Sequence, residues 1–366
     1  MKAVIKLRDA LSKSGHELEV RALNAIIDKV DNNLSDKKII WSKSTISSGV
    51  QLTLSTSLPV DKETGAPLVD VIFPQSSVGF ESSHYFNEDI ENAINGIVKE
   101  WKLAEKLREN NIPLSYSYLF FGPPGTGKTE LAKYLACKLN IPLVSARLDS
   151  LLSSYLGTSA RNISALFDFV EKYDCILLLD EFDAIAKYRD DKREVGEIKR
   201  VVNTLLQCLD RRKESGITVA TTNHEGLLDP AVWRRFQNKL SIQIPNDKTR
   251  EKIIKSYIKP VEISELEFKF ICMVLDGYTP ADIKNCMEYI KRFIVLNNED
   301  SINIYKSVKS YFVVNANHRN ETIDILLSDD GHELAKELTS KYSYTIQDVS
   351  VLLGKHKSTV SRWLKG

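Results

Sequence analysis

The residues best suited to chemistry form the glycine-rich run GPPGTGKT, from Gly122 to Thr129. It follows the apolar segment SYLFF and precedes ELAKYLACKL, a pattern typical of a strand, a tight turn and a helix. Glycines allow backbone N–H groups to surround phosphate oxygens, and the start of a helix adds partial positive charge. Lys128 is then expected to reach the β- and γ-phosphates, and the Thr129 hydroxyl to complete a Mg²⁺ shell. The run predicts a nucleoside triphosphate site rather than a glycine-rich turn without a ligand.

Two carboxylates, Asp180 and Glu181, end a second apolar segment, CILLLDEFDAI. A charged pair at the end of a buried strand is costly unless it faces an ion or a cleft. Asp180 is therefore predicted to hold Mg²⁺ through water, and Glu181 to polarise the attacking water as general base. Hydrolysis, beyond binding, is indicated. The predicted nucleotide-binding residues are Gly122, Pro123, Pro124, Gly125, Thr126, Gly127, Lys128, Thr129, Glu130 and Asp180, with Thr129 and Asp180 serving the metal.

A third apolar segment, GITVATTN, ends at Asn223. Its amide can hydrogen-bond the γ-phosphate or the water if this strand lies beside the other two. The following LLDPAVWRRF places Arg234 and Arg235 just past a short apolar helix. On composition alone, paired arginines are more typical of a solvated surface than of a site.

The elements that must position these residues alternate between buried strands and helices from Asn87 to about Pro245. That alternation predicts an α/β fold with a parallel sheet. Before it, residues 2–32 indicate two amphipathic helices, and residues 46–73 indicate a short separate sheet or hairpin. After it, residues 246–296 are mostly helical by pattern.

The bulk composition excludes several function classes. Fifty basic and forty-nine acidic residues among 366 give no global charge of the kind that marks a nucleic-acid or membrane-surface binder. Five cysteines without CxxC spacing indicate neither a disulfide framework nor a zinc site. No signal-peptide pattern or long apolar segment is present in the sequence, so we expect a cytoplasmic protein without a membrane anchor.

Together, GPPGTGKT, LLLDEFDAI, ATTN and LLDPAVWRRF resemble the AAA+ ATPases, and more closely the AAA clade of ring-forming motors, over about Leu114 to Arg292. The resemblance implies ATP as the nucleotide, Mg²⁺ as cofactor, and assembly with copies of itself into a ring, most often a hexamer. It also implies that Arg234 and Arg235 act as fingers on the neighbouring subunit's nucleotide. This sequence has WRRF where many relatives have R-P-G-R, a spacing two residues shorter, so either one or both arginines reach.

Two further segments take their interpretation from the same resemblance. SSYLGTSARNISALF is similar to the family's pore-loop region, in which Tyr155 and Leu156 would grip a threaded polypeptide and Gly157 would permit a sharp turn. The alternative is a loop whose tyrosine packs locally. LDGYTPADIKNCMEYI is similar to the start of the family's lid helix, with Thr279 and Pro280 replacing the usual serine and glycine.

The predicted fold is an AAA+ P-loop core, a parallel sheet flanked by helices, with a helical lid, a small N-terminal α+β domain and a C-terminal helix-turn-helix. The predicted domains are residues 1–85, a possible client or adaptor domain; 86–245, the ATPase core; 246–300, the lid; 301–340, a connecting region; and 341–366, the tail.

The tail resembles the helix-turn-helix of bacterial and phage regulators. Thr345 and Asp348 predict a capping box, and Gly354 lies where the turn needs a glycine. From Lys341 to Gly366 there are five Lys or Arg and one Asp, which favours DNA contact over protein docking or subunit packing. Lys355 and His356 depart from the pattern. The candidate DNA-contacting residues are Lys357, Ser358, Thr359, Ser361 and Arg362.

Two functional hypotheses follow. The first is an ATPase ring that remodels or threads an unknown protein client, with the tail recruiting it to DNA or to a partner. The second is a DNA-bound, ATP-dependent regulator, or a transposition or phage-related helper, in which ATP controls assembly on DNA.

Overall fold

The computed structural model describes residues 50–74, 85–151, 158–184, 195–212, 216–297, 303–315, 321–328 and 331–365, with side chains from Arg200 onward in the fourth range. The predicted N-terminal helix pair of residues 2–32 lies outside the described residues, as do Tyr155, Leu156 and Gly157 of the predicted pore loop.

A six-stranded sheet forms the centre of the fold, in the order β1-β3-β4-β5-β2-β6. Strands β2 to β6 are parallel to their neighbours, and β1 pairs antiparallel to β3 at one edge. The predicted α/β class with a parallel sheet is therefore confirmed. The strands are β1 Val69–Ile72, β2 Ser117–Phe121, β3 Leu143–Ala146, β4 Ile176–Leu179, β5 Thr218–Thr222 and β6 Asn238–Ser241.

Helices cover both faces of the sheet, and the helices that follow β6 in the sequence form a hydrophobic core of their own. Those of the sheet region are α1 Glu88–Lys102, α2 Ala104–Glu109, α3 Lys128–Leu139, α4 Leu148–Leu151, α5 Thr158–Val170, α6 Val195–Arg211 and α7 Pro230–Trp233. Those that follow are α8 Asp247–Ile258, α9 Glu265–Val274, α10 Pro280–Asn297, α11 Ile304–Val314, α12 Glu321–Leu327, α13 Gly331–Ser340, α14 Ile346–Leu353 and α15 Lys357–Trp363. None of the described helices is long and apolar enough to cross a membrane.

The two faces of the sheet explain why β4 is an uninterrupted apolar run. Leu177 and Leu179 belong to one hydrophobic core, while Ile176 and Leu178 belong to the other. Successive side chains of a strand point to opposite faces, so a strand covered on both sides needs an apolar residue at every position. Burying each such side chain contributes about 1.5–3 kcal/mol before entropy costs.

The expectation of a short sheet or hairpin in residues 46–73 is met only in part. Val60 and Pro67 form one antiparallel bridge across the predicted turn, but the described residues form no separate sheet there. The segment around Val69–Ile72 joins the edge of the main sheet, and Val50 makes only an isolated bridge with Tyr173. The alternation of apolar and polar residues is the same for either arrangement, so the pattern could not identify the partner strand.

A buried arginine makes several hydrogen bonds at the end of the sheet opposite the glycine-rich loop. Arg212 is 1% exposed, and its guanidinium donates to the carbonyl oxygens of Val170 at 2.8 Å and Cys175 at 3.2 Å. It also donates to the Thr218 hydroxyl at 3.2 Å. Burial lowers the pKa of Arg212 from its ordinary value. Because Val170 ends α5, this cation also satisfies a carbonyl at the negative end of a helix.

Helices α8 to α15 share one hydrophobic core, which runs from Ile253 to Val360. The core crosses the predicted boundaries at residues 300 and 340, since α11 contributes Ile304, Val308 and Phe312 to it. The segment 301–340, predicted as a connecting region, thus contains amphipathic helices, each burying one stripe of side chains.

Candidate active site

The glycine-rich loop joins β2 to α3 with left-handed backbone at Gly122 (φ +138°) and Gly125 (φ +77°). A Cβ on Gly122 would lie 2.2 Å from the carbonyl oxygen of Ile242, the residue that follows β6. One on Gly125 would lie 2.8 Å from the Thr279 hydroxyl at the start of the lid helix α10. Both positions therefore require glycine for space as well as for backbone conformation.

Lys128 is the first residue of α3 and is 6% exposed. Its ammonium donates to the carbonyl oxygens of Gly122 at 2.9 Å and Pro123 at 2.7 Å. Burial lowers the pKa of Lys128, and the nearby charges of Asp180 and Asp183 oppose that effect. The loop thus holds the ammonium where phosphate oxygens, which are charged and stronger acceptors, can replace the carbonyls.

The two predicted carboxylates come together with two hydroxyls at the ends of β4 and β5. The Thr129 hydroxyl donates to both carboxylate oxygens of Asp180, at 2.9 and 3.0 Å. The Thr221 hydroxyl donates to Asp180 Oδ1 at 2.5 Å and accepts from the Glu181 N–H at 3.0 Å. Glu181 itself is exposed and has left-handed backbone, with φ +49°.

A cavity of about 590 Å³ opens over this cluster. Its lining includes the loop from Pro124 to Glu130 together with the polar residues Asp180, Glu181, Thr221 and Asn223. The rest of the lining is mostly aromatic and apolar, and consists of Tyr85, Phe86, Ile253, Tyr257, Pro280 and Ala281, with Lys284. A cavity of this size, lined both by polar groups and by aromatic and apolar side chains, suits a nucleotide.

Sequence reasoning missed both Thr221 and the aromatic and apolar residues that line the cavity. Thr221 lies two positions before Asn223 in ATTN, and only the placement of β5 between β4 and β2 brings it to Asp180. Tyr85 and Tyr257 are separated by more than half of the described chain, so their spacing carried no signal. Three of the predicted loop residues make contacts within the protein. The carbonyl oxygens of Gly122 and Pro123 accept from Lys128, and Glu130 forms an ion pair with Lys133 at 2.7 Å.

The lid touches the loop directly. The Ala281 N–H donates to the carbonyl oxygen of Gly125 at 3.3 Å. Thr279 and Asp282 form a reciprocal pair at the start of α10, with the Thr279 hydroxyl 2.6 Å from Asp282 Oδ2. The threonine that replaces the family's usual serine thus keeps a helix-capping function.

The donor set fits Mg²⁺. Thr129 and Asp180 offer a hydroxyl and a carboxylate, the hard oxygen ligands that this ion prefers. Within the described ranges no group of three His, Cys, Asp or Glu side chains could cage a metal. Mg²⁺ usually keeps several waters and is shared with substrate phosphates, so two protein oxygens are sufficient for it.

The two candidate fingers have different environments. Arg234 is exposed, and its side chain makes no hydrogen bond or ion pair with any residue that the structure describes. Arg235 is held by its own chain, with Nε and Nη2 at 3.3 and 3.2 Å from Asp210 Oδ2 and Nη1 at 3.1 Å from the Ala231 carbonyl. Neither arginine lines the cavity of its own chain.

The tail contains the predicted helix pair, α14 and α15, joined at Gly354 with φ +62°. Thr345 and Asp348 form the predicted capping box. His356, which breaks the sequence pattern, still caps α15, because its Nδ1 accepts from the Ser358 N–H at 3.3 Å. Of the candidate DNA-contacting residues, Lys357, Ser358 and Arg362 are exposed, whereas Thr359 and Ser361 are half-buried. DNA contact itself stays a prediction.

Comparison with known proteins places this geometry in context. Residues 118–244 match the family model "ATPase family associated with various cellular activities (AAA)". An uncharacterized AAA family ATPase of Sinorhizobium fredii, y4kL, is 34% identical over 300 residues, covering 79% of this chain and 88% of the relative. The 26S proteasome subunit RPT4 of Saccharomyces cerevisiae is 29% identical, covering 78% and 73%. The solved FIGL-1 AAA domain in complex with ADP matches in fold, with TM-score 0.55 and 21% identity over 72% of this chain and 91% of that one.

Proposed function

Because the chain belongs to the AAA family of ATPases, we propose that it hydrolyses ATP at subunit interfaces of a ring and uses the energy to remodel or thread a protein client. ATP hydrolysis with Mg²⁺ is the activity of the family. The observation that supports ring assembly is the position of Arg234. This exposed cation lies at the end of α7 and does not line the cavity of its own chain. A neighbouring subunit's nucleotide is the partner that such an arginine fits.

Within one subunit, each predicted residue has a defined task in the proposed mechanism. Lys128 and the loop N–H groups bind the phosphates, and Asn223 orients the γ-phosphate or the water. Glu181 takes a proton from the attacking water as general base. Asp180 and Thr129 would hold Mg²⁺, which when bound neutralises charge on the phosphate oxygens.

A protein client is supported by the relatives. RPT4 is by name a subunit of the 26S proteasome. The sequence similarity to pore loops at Tyr155, Leu156 and Gly157 favours threading, in which an aromatic side chain grips an extended polypeptide.

Replacing Tyr155 with alanine is expected to abolish client handling while the ATPase rate stays within about three-fold, because a pore-loop tyrosine would contact the client and has no assigned task in binding or hydrolysing ATP. The client is captured with full-length Glu181→Gln protein, ATP and cell lysate, with and without nuclease. Proteins that remain after nuclease treatment and disappear from the Glu181→Gln/Tyr155→Ala double variant support threading. Tyr155→Phe is the matched control and should retain capture. Threading would be contradicted if the Tyr155→Ala substitution left client capture unchanged, or if nuclease treatment abolished the capture.

The tail supports a second candidate function, a DNA-bound regulator or transposition or phage-related helper. Lys355, Lys357 and Arg362 are exposed on the helix pair and its turn. Since α14 and α15 share the core of the lid helices, and α10 touches the glycine-rich loop, a lid movement that follows ATP hydrolysis would carry the tail with it.

Reversing two tail charges, Lys357→Glu with Arg362→Glu, is expected to weaken binding of full-length protein to duplex DNA. If both contact phosphates, the slope of log K against log salt decreases in magnitude by about 2 per engaged tail. Fluorescence anisotropy of a labelled duplex at several salt concentrations measures it. Lys248→Glu with Lys252→Glu, the same charge change on α8, is the control. Equal affinity and slope in the two double variants would argue for a protein-docking tail.

A further inference from the structure

One buried side chain on β5 links both carboxylates of the site. Thr221 is 2% exposed and contacts the Asp180 side chain and the Glu181 backbone through one hydroxyl. Its own carbonyl oxygen accepts from the Phe182 N–H at 2.8 Å. Thr221 therefore bonds to three successive residues after β4, which are Asp180, Glu181 and Phe182. The bonds to Asp180 and Glu181 use the hydroxyl, which a valine would lack.

The direction of these hydrogen bonds follows from proton counting. A hydroxyl has one proton and two lone pairs, an N–H can only donate, and an ionised carboxylate can only accept. The Glu181 N–H must therefore use a lone pair of Thr221, and the Thr221 proton must point to Asp180 Oδ1. Thr129 donates to the same carboxylate from the other side. Asp180 is thus fixed between two hydroxyls that come from different elements.

Glu181 needs this support because of its backbone. A non-glycine residue with φ +49° is in a costly conformation that persists only where the surroundings hold it. Glycine would adopt it freely but would remove the general base. The hydrogen bond from the Glu181 N–H to the buried Thr221 side chain is one contact that holds this conformation.

We propose that Thr221 is a positioning residue for ATP hydrolysis, which sets the orientation of the Asp180 carboxylate and the backbone of Glu181 through its single hydroxyl. The proposal rests on the roles proposed above for those two carboxylates. Thr221 acts through them: it orients the group that would hold Mg²⁺ and aims the group that activates water. Loss of the hydroxyl should therefore affect turnover and the Mg²⁺ dependence of nucleotide binding, while leaving phosphate binding by Lys128 intact.

The test compares Thr221→Val, which keeps the shape and removes the hydroxyl, with Thr221→Ser, which keeps the hydroxyl. Thr221→Val is expected to lower kcat by about 10- to 100-fold, as a small misplacement of catalytic groups does. A fluorescent ATP analogue should bind in EDTA within about two-fold of wild type, because the loop is unchanged, but lose most of its tightening by Mg²⁺. Thr221→Ser should restore both quantities to within about three-fold.

Thr218→Val is the matched control. Thr218 is a buried threonine at the other end of β5, where its hydroxyl accepts from Arg212. That variant should lower the melting temperature of the protein without changing kcat or the Mg²⁺ effect. Wild-type kcat and Mg²⁺ effect in Thr221→Val, or a Thr221→Ser variant as impaired as Thr221→Val, would overturn the proposal.

Measuring the effect of Mg²⁺ on nucleotide binding distinguishes a failure of this proposal from a failure of the general-base assignment of Glu181. If Glu181 were not the base, Glu181→Gln would keep turnover. The binding measurements on Thr221 variants would still report on the orientation of Asp180, since they require no hydrolysis.

Discussion

Replacing Glu181 with glutamine is expected to lower kcat for ATP hydrolysis by about 10²- to 10⁴-fold, the usual contribution of a general base. Glutamine has nearly the same size but cannot take a proton from water. The backbone of residue 181 still donates to Thr221, and Lys128 and the glycine-rich loop are unchanged. ATP should therefore bind with wild-type affinity and remain unhydrolysed, so that the variant accumulates in the ATP-bound form.

Single-turnover hydrolysis and equilibrium nucleotide binding measure the two quantities separately. Glu225→Gln is the matched control, because Glu225 is an exposed carboxylate near Lys128 that does not line the cavity. Its kcat should stay within about two-fold of wild type. Unchanged turnover in Glu181→Gln would show that another group activates the water, and lost ATP binding would show that the substitution had disturbed the loop.

The sequence was sufficient to predict the residues whose function depends on local geometry. Lys128 and Thr129 follow a glycine-rich turn within one strand–loop–helix unit, so their spacing alone places them against phosphates. Asp180, Glu181 and Asn223 each end an apolar strand, and parallel strands bring those ends to one edge. The cavity indeed contains all of these side chains.

What depends on strand order could not be predicted in the same way. Thr221 has no special spacing from Asp180, and the two meet only because β5 lies beside β4. The edge strand β1 has the same alternation that a separate hairpin would have. The extent of the lid could not be predicted either, because it depends on α11 to α13 each burying one stripe of side chains in the core shared with the tail.

Composition likewise could not separate Arg234 from Arg235, which are neighbours of identical type. The structure distinguishes them by their side-chain partners. The Arg235 guanidinium donates to Asp210, whereas the Arg234 side chain bonds to no residue that the structure describes. The ion pair with Asp210 is partly exposed, with side-chain exposures of 32% and 39%, so it should contribute no more than about 0.5 kcal/mol to folding. Its larger effect is to keep one arginine occupied within its own subunit.

Replacing Arg234 with alanine is therefore expected to lower kcat by about 10³-fold or more, the effect of removing an arginine that stabilises charge on a transferred phosphate. Arg235→Ala should lower kcat by much less, about ten-fold at most, because that guanidinium is already paired. Steady-state ATPase assays at protein concentrations that saturate assembly measure both. Sedimentation velocity shows whether each variant still forms the wild-type oligomer, so that a loss of assembly is not mistaken for a loss of the finger.

Mixing two inactive variants tests whether Arg234 acts on the neighbour's nucleotide. In rings assembled from equal amounts of Arg234→Ala and Glu181→Gln subunits, an interface is intact where a Glu181→Gln subunit supplies Arg234 to the site of an Arg234→Ala subunit. Random assembly makes about one quarter of the interfaces intact, so the mixture should regain activity that neither variant has alone. If Arg234 served the nucleotide of its own subunit, every site would still lack one of the two residues and the mixture would stay inactive.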